Sequence, residues 1–196
     1  MAAEVMADQG LRVAVYDGMA SVGRKFLLAG KGGLNLTHSE PMAAFTARYG
    51  PRADAVATWL EHFSPTRLRE WAAGLGVQTF VGSSGRVFPR DLKAAPLLRA
   101  WLHRLRERGV VFHMRQRWLG WDAQGRLRFS SPTGGQAGGQ TGEQTGEHRV
   151  SAPVTVLALA NGDADRAAWL HGNIRAALTH VGRSRSEEQI RVYEHV

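Results

Sequence analysis

Cysteine is absent from the 196-residue chain, and long apolar runs are scarce. Without cysteine the chain can form neither disulfides nor thiolate metal sites, and its eight histidines show no pair at metal-ligand spacing within a helix. The longest strongly apolar run, residues 154–160, is too short to cross a bilayer. Glu4 and Asp8 interrupt the apolar residues at the N-terminus, which argues against a signal peptide. We therefore expect a cytoplasmic protein with neither a membrane partner nor a metal centre.

Lysine accounts for only three of the 25 basic residues, so arginine carries nearly all of the formal net charge of +8. A strongly basic chain can bind nucleic acid or phosphate. The arginines are, however, spread over helical faces and strand ends without interleaved aromatic residues. This pattern favours a solvated basic surface, and a nucleic-acid-binding protein is the least favoured of the functions considered.

An alternating apolar run at 12–16 predicts a short buried strand, which closes on Asp17 and Gly18. In a dinucleotide-binding βαβ unit, the carboxylate at the end of the second strand accepts hydrogen bonds from ribose hydroxyls. Asp17 is therefore chemically suited to bind the ribose of an adenosine.

The segment after this strand is rich in glycine and cations: Gly23, Arg24, Lys25, Gly30 and Gly33. Its backbone could approach a pyrophosphate without Cβ clashes, and we expect it to form one concave face with Asp17. A nucleoside-triphosphate P-loop is excluded, because Lys25 stands where its first glycine is required. A surface loop with scattered positive charge is the alternative interpretation.

Hydrophobic periodicity and turn residues predict helices and strands along the chain. Helices are predicted at 2–9, after Pro41, at 52–63, from Pro65 to about 75 and at 95–108, and strands at 77–81, 86–88, 110–114, 118–121 and 127–129. Ser64 is expected to cap the helix that Pro65 begins. Residues 131–148 are of low complexity and predict a flexible connection. Residues 154–159 predict a buried strand.

Three stretches, GRKFLLAGKGGLNLTHSEP at 23–41 and the residues at 80–102 and 109–122, closely resemble the BaiN/RdsA-type (YhiN-like) NAD(P)/FAD-dependent oxidoreductases. The resemblance implies an α/β fold: an incomplete Rossmann-like FAD-binding domain at 1–162, with a parallel sheet and a small antiparallel β-meander. Residues 163–196 would form a tail of unclear fold. The implied function is the FAD-binding part of a flavin-dependent oxidoreductase, with NAD(P)H as a candidate reductant and an unknown small-molecule substrate.

The same resemblance assigns FAD-contacting residues. Asp17 would hold the FAD ribose, and the segment that ends at Asn35 would lie along the cofactor. The residues concerned are Gly23, Arg24, Lys25, Gly30, Gly33 and Asn35. Trp118 occupies a position near the adenine that is contacted through the backbone, although a packing tryptophan in a β-meander is an equal alternative. No side chain is assigned as catalytic.

The chain also departs from the family pattern. Members begin with a strand and a GxGxxG turn, whereas this chain begins inside the following helix. We therefore expect a truncated chain with weak or lost FAD binding, because the phosphate site at that helix N-terminus is missing. A non-catalytic fragment or binding module that retains the fold is the alternative function. Topology further predicts that 12–16 pairs in parallel with 110–114.

Overall fold

The computed structural model describes residues 1–132 and 145–158. These residues form two compact units. The first unit comprises 1–15 and 21–112, and the described part of the second comprises 16–20, 113–132 and 145–158. The predicted division into a domain at 1–162 and a tail at 163–196 stays a prediction, because residues 159–196 lie outside the described part of the chain.

Helices and strands alternate in the first 47 residues, and after that several helices or several strands follow one another. In order, the elements are α1 (Ala2–Asp8), β1 (Ala14–Asp17), α2 (Arg24–Ala29), β2 (Thr37–His38), α3 (Met42–Ala47), a 3-10 turn (Gly50–Arg52), α4 (Ala53–His62), α5 (Pro65–Gly74), β3 (Thr79–Val81), β4 (Arg86–Pro89), α6 (Ala94–Glu107), β5 (Val111–Met114), β6 (Arg117–Trp121), β7 (Leu127–Pro132) and β8 (Thr145–Val150). In this part of the chain, no helix is long and apolar enough to cross a membrane.

The predicted parallel pairing is confirmed: β1 and β5 form a two-stranded parallel sheet. The backbone N–H of Val111 donates a hydrogen bond to the carbonyl of Val13 at 3.0 Å. Parallel strands require a long crossover connection, and here the connection contains five helices, α2 to α6. The predicted α/β class is also confirmed.

The core of the first unit is built where α5 and α6 meet the segment that follows α2. Leu97 of α6 and Ala72 of α5 are fully buried, and Leu34 and Ala94 join them in one apolar cluster. The start of α5 is the predicted one, because the Ser64 hydroxyl accepts a hydrogen bond from the Arg67 N–H at 3.2 Å and a proline occupies the first turn.

A second sheet in this unit has the strand order β2-β4-β3. The hairpin between β3 and β4 is the predicted one, whereas β2 was not predicted, because two residues are too few to show a strand period. Pro89 is the last residue of β4 and lies opposite Thr79, so the hairpin stops at this proline, one residue beyond the predicted strand at 86–88. As the last residue of its strand, it can take part without an N–H donor.

In the second unit, β6, β7 and β8 form a small antiparallel meander, in which β6 and β7 were predicted and β8 was not. The flexible segment expected at 131–148 is too long at both ends, because Pro132 pairs with Thr145 and Phe129 with His148. Residues 133–144 lie outside the described part. Polar composition alone predicted disorder, but the pairing with β7 supplies the hydrogen bonds that local sequence does not encode.

The buried strand expected at 154–159 is wrong for the residues that the structure describes. Residues 151–158 are in no helix or strand, and the side chains of Val154 and Val156 are 72% and 55% exposed. An apolar run forms a strand only where a neighbouring strand can pair with its backbone. Among the described residues, no strand pairs with 154–158.

The turn between β6 and β7 is held by Asp122. Its Oδ1 accepts hydrogen bonds from the N–H groups of Gln124 and Arg126 at 3.0 and 2.9 Å, and its Oδ2 accepts one from Arg126 Nε at 2.7 Å. Burial, the largest single influence, acts to raise the pKa of Asp122, but the hydrogen bonds and the charge of Arg126 together outweigh it and lower the pKa.

Because the pKa of Asp122 is lowered by folding, its contribution to stability is present above the ordinary carboxyl pKa of about 4 and is lost as pH falls through the lowered value. We expect the Asp122→Asn variant to lose part of this acid dependence. Urea unfolding between pH 6 and pH 2, roughly the range in which carboxylates titrate, would measure it. An identical pH dependence in both proteins would contradict the assignment.

Candidate FAD-binding residues

Asp17 ends β1, at the carboxyl edge of the parallel pair. Its side chain is half-buried, and its Oδ1 accepts a hydrogen bond from the Met19 N–H at 2.9 Å. The Asp17 carbonyl accepts a hydrogen bond from the Gln116 N–H at 2.9 Å, which fixes the end of the strand just before β6. No other hydrogen bond to this carboxylate is found among the described residues, so Oδ2 is available to a ligand.

The segment predicted as a glycine-rich loop contains a helix, α2, at Arg24–Ala29. Gly23 caps it with φ +76°, a left-handed conformation that glycine adopts without strain. The prediction of a loop is therefore wrong for residues 24–29, which form α2. The residues Arg-Lys-Phe-Leu-Leu-Ala form helices readily, but six residues between glycines are too few to reveal a helical period.

Two of the predicted cofactor glycines contact α6 closely. A Cβ at Gly23 would lie 2.8 Å from the Leu98 side chain, and one at Gly30 would lie 2.6 Å from the Ala94 Cβ. Gly33 has φ +112°, and a Cβ there would meet only Phe88, at 3.8 Å. Packing of α2 against α6 thus accounts for Gly23 and Gly30, and backbone conformation accounts for Gly33.

The predicted polar residues of this segment point to solvent. Arg24, Lys25 and Asn35 are all exposed, and neither cation forms an ion pair within the described part of the chain. Asn35 lies between Leu34, whose N–H donates to Leu92, and Leu36, whose N–H donates to Val87. These backbone hydrogen bonds fix the segment and leave the polar side chains free to meet a ligand.

Trp118 lies in β6 of the second unit, opposite Phe129 of β7. Its ring is half-buried and packs edge-on against Trp121, with centroids 4.7 Å apart. A bulge between Trp118 and Gly120 displaces the strand register at this point. The geometry agrees with the packing alternative and leaves the backbone contact with adenine as a prediction.

The eight predicted residues are thus distributed over both units. Asp17 and Trp118 belong to the second unit, and the rest lie in one segment of the first: Gly23, Arg24, Lys25, Gly30, Gly33 and Asn35. The expected single concave face stays a prediction.

The sequence analysis did not identify His38, which stabilises the turn between β3 and β4. The Glu40 N–H donates a hydrogen bond to His38 Nδ1 at 3.2 Å, so the neutral ring carries its proton on Nε2, which donates to the Ser84 carbonyl at 2.9 Å. A Cβ at Gly85 would lie only 2.5 Å from the ring. The tripeptide His-Ser-Glu gave no sign of this contact, because Ser84 is 46 residues away.

No cluster of histidine, aspartate and glutamate suitable for a metal ion occurs among residues 1–132 and 145–158. A search of curated proteins found no match. The family model for the HI0933-like protein Rossmann domain matches residues 1–147.

Proposed function

We propose that this chain binds FAD as part of a flavin-dependent oxidoreductase. It belongs to the HI0933-like family, which includes the BaiN/RdsA-type flavoproteins. The carboxylate of Asp17 at the carboxyl end of a parallel strand is the observation that carries the proposal. Bound flavin would supply the redox chemistry, with NAD(P)H as the first reductant to test and an unidentified small molecule as substrate.

The residues present fit the adenosine and phosphate parts of FAD. Asp17 retains one carboxylate oxygen that makes no hydrogen bond within the described chain, which suits a ribose hydroxyl donor. Arg24 and Lys25 are exposed cations without an ionic partner among the described residues, so they would neutralise phosphate charge without giving up an existing ion pair. The protein groups would bind and orient the cofactor, and none of them is assigned a proton-transfer step.

A binding module that keeps this fold without using flavin is the second candidate function. It is favoured by the contacts of Gly23 and Gly30 with α6, because these glycines are required for packing whether or not a cofactor is present. FAD binding by the purified chain distinguishes the two functions, since only the first requires it.

We expect the Asp17→Asn variant to bind FAD roughly 10-fold more weakly or worse, because a hydrogen bond to a charged acceptor contributes about 1.5–3 kcal/mol. Quenching of flavin fluorescence on titration with protein would measure the affinity. Asp91→Asn is the matched control, since Asp91 also accepts a hydrogen bond from the N–H two residues later, that of Lys93, at 3.2 Å.

Equal affinities of the Asp17→Asn and Asp91→Asn variants would remove Asp17 from the site. If the unmodified chain failed to bind FAD at any accessible concentration, the flavoprotein function would be excluded for this chain and the binding-module function favoured.

A further inference from the structure

Glu4 is the one charged residue whose side chain is buried in the described part of the chain, with 6% of its surface exposed. It lies in the first turn of α1. Its Oε2 accepts hydrogen bonds from two indole N–H groups, Trp71 Nε1 at 3.0 Å and Trp101 Nε1 at 2.8 Å. Its Oε1 accepts one from Arg108 Nη1 at 3.0 Å and lies 3.0 Å from Arg104 Nε.

The two indole rings and the Arg104 guanidinium contact one another on α5 and α6, whereas Arg108 pairs with Glu4 and Asp8 of α1. The rings of Trp71 and Trp101 pack edge to face, with centroids 5.1 Å apart at 90°, and the Arg104 guanidinium lies 5.9 Å from the centre of the Trp71 ring. These three side chains therefore have contacts that do not involve the carboxylate. We call Trp71, Trp101, Arg104 and Arg108 the carboxylate socket.

The socket offers more donors than Glu4 uses. Nε and Nη2 of Arg104 are buried, and neither makes a hydrogen bond to a described residue, although Nε lies at ion-pair distance from Glu4. A buried donor without a partner is costly, so an acceptor able to reach both atoms would bind more favourably than Glu4 alone allows.

By contrast, α1 lies outside the apolar core cluster of the first unit, although Ala3, Met6 and Ala7 are half-buried. Val5 is 60% exposed. The remaining ionic contact is between Asp8 and Arg108, 2.9 Å apart, and it lies at the surface, where ion pairs stabilise little. The buried carboxylate of Glu4 is therefore the principal polar attachment of α1 within the described part of the chain.

We propose that the socket is a binding site for carboxylates and that α1 is its reversible intramolecular ligand through Glu4. When α1 detaches, the socket can accept a small carboxylate from solution. The socket shares no residue with the proposed FAD-binding set, and it would operate whether or not the chain binds flavin.

The test uses the Glu4→Ala variant of the full chain with formate as the probe. We expect α1 amides to exchange with deuterium about tenfold faster or more, because charge-assisted hydrogen bonds are lost, while α5 and α6 keep their protection. Formate should change the tryptophan fluorescence of the variant saturably, with a dissociation constant on the order of 1 mM or weaker, as expected for a three-atom ligand.

Three controls localise the effect. The unmodified chain should show no saturable response to formate, because Glu4 occupies the socket. Adding Arg108→Met to the variant should abolish or strongly weaken the response, since one charged donor is removed while the tryptophans that report binding remain. Asp8→Asn should leave the protection of α1 nearly unchanged, because its ion pair is exposed.

Unchanged protection of α1 in the Glu4→Ala variant would overturn the proposal, as would the absence of a saturable formate response. Loss of protection in α5 and α6 together with α1 would also contradict it, because α1 would then be part of the cooperative core. If Glu4→Ala does not fold, Glu4→Gln gives the same test, since the amide keeps the volume but faces the donors with donors of its own.

Discussion

Replacing Leu97 by alanine is expected to lower the free energy of unfolding by about 2–5 kcal/mol, the range for a buried leucine that leaves a cavity. Leu97 is fully buried in α6 and belongs to the cluster with Leu34, Ala72 and Ala94. Ala72 and Ala94 in this cluster are too short to extend into the space that the leucine leaves. Urea unfolding followed by circular dichroism would measure the change.

Leu28→Ala is the matched control, because Leu28 is also a helical leucine but is 60% exposed. Its substitution should change the stability by no more than about 0.5 kcal/mol, as is usual at exposed positions. Similar losses in the two variants would mean that α6 is not the centre of the core. Since a small domain is stable by only about 5–15 kcal/mol, the Leu97 variant could be partly unfolded at room temperature.

The helix α6 shows why much of this fold could be predicted. Leu97, Leu98 and Leu105 recur at helical spacing and are all buried in the structure. Ser64 and Pro65 likewise predicted the start of α5, because capping depends on adjacent residues. The parallel pairing of β1 with β5 was predicted only with the help of the family resemblance and its topology.

Features that depend on distant residues could not be predicted. Glu4 looked like a charge that interrupts an apolar segment, but its partners Trp71 and Trp101 are 67 and 97 residues away. The same holds for 154–158, where an apolar pattern predicted a buried strand and the structure shows exposed valines. Whether a segment is buried depends on the elements that pack against it. The local sequence of the segment does not identify those elements.

The predicted site shows the same limit. The glycines and cations between 23 and 33 indicated a loop that a pyrophosphate could approach without Cβ clashes. In the structure both glycines face α6. A missing Cβ leaves room for a ligand or for another helix, and the sequence does not say which. The residues whose side chains would meet a ligand, Asp17, Arg24 and Lys25, are less ambiguous in this respect.

Gly30→Ala separates these two explanations and is expected to destabilise the chain by about 1–3 kcal/mol, the usual cost of overpacking. The new Cβ would lie 2.6 Å from the Ala94 Cβ and 3.4 Å from the Ala94 backbone nitrogen. A Cβ cannot rotate away, so α2 and α6 must move apart. Thermal or urea unfolding of the purified chain would measure the loss.

Gly32→Ala is the control in the same segment, because a Cβ there would meet nothing within 4 Å and neither glycine has a positive φ. It should be neutral or stabilise by about 0.4–1 kcal/mol through the unfolded state.

Ala94→Gly should restore much of the stability lost in Gly30→Ala, and a double-mutant cycle between 30 and 94 would give their coupling. If Gly30→Ala is as stable as Gly32→Ala, the packing explanation fails. If it is destabilised and rescued at Ala94, the glycine is required by the fold itself, and an effect of the substitution on FAD affinity would follow from the displacement of α2.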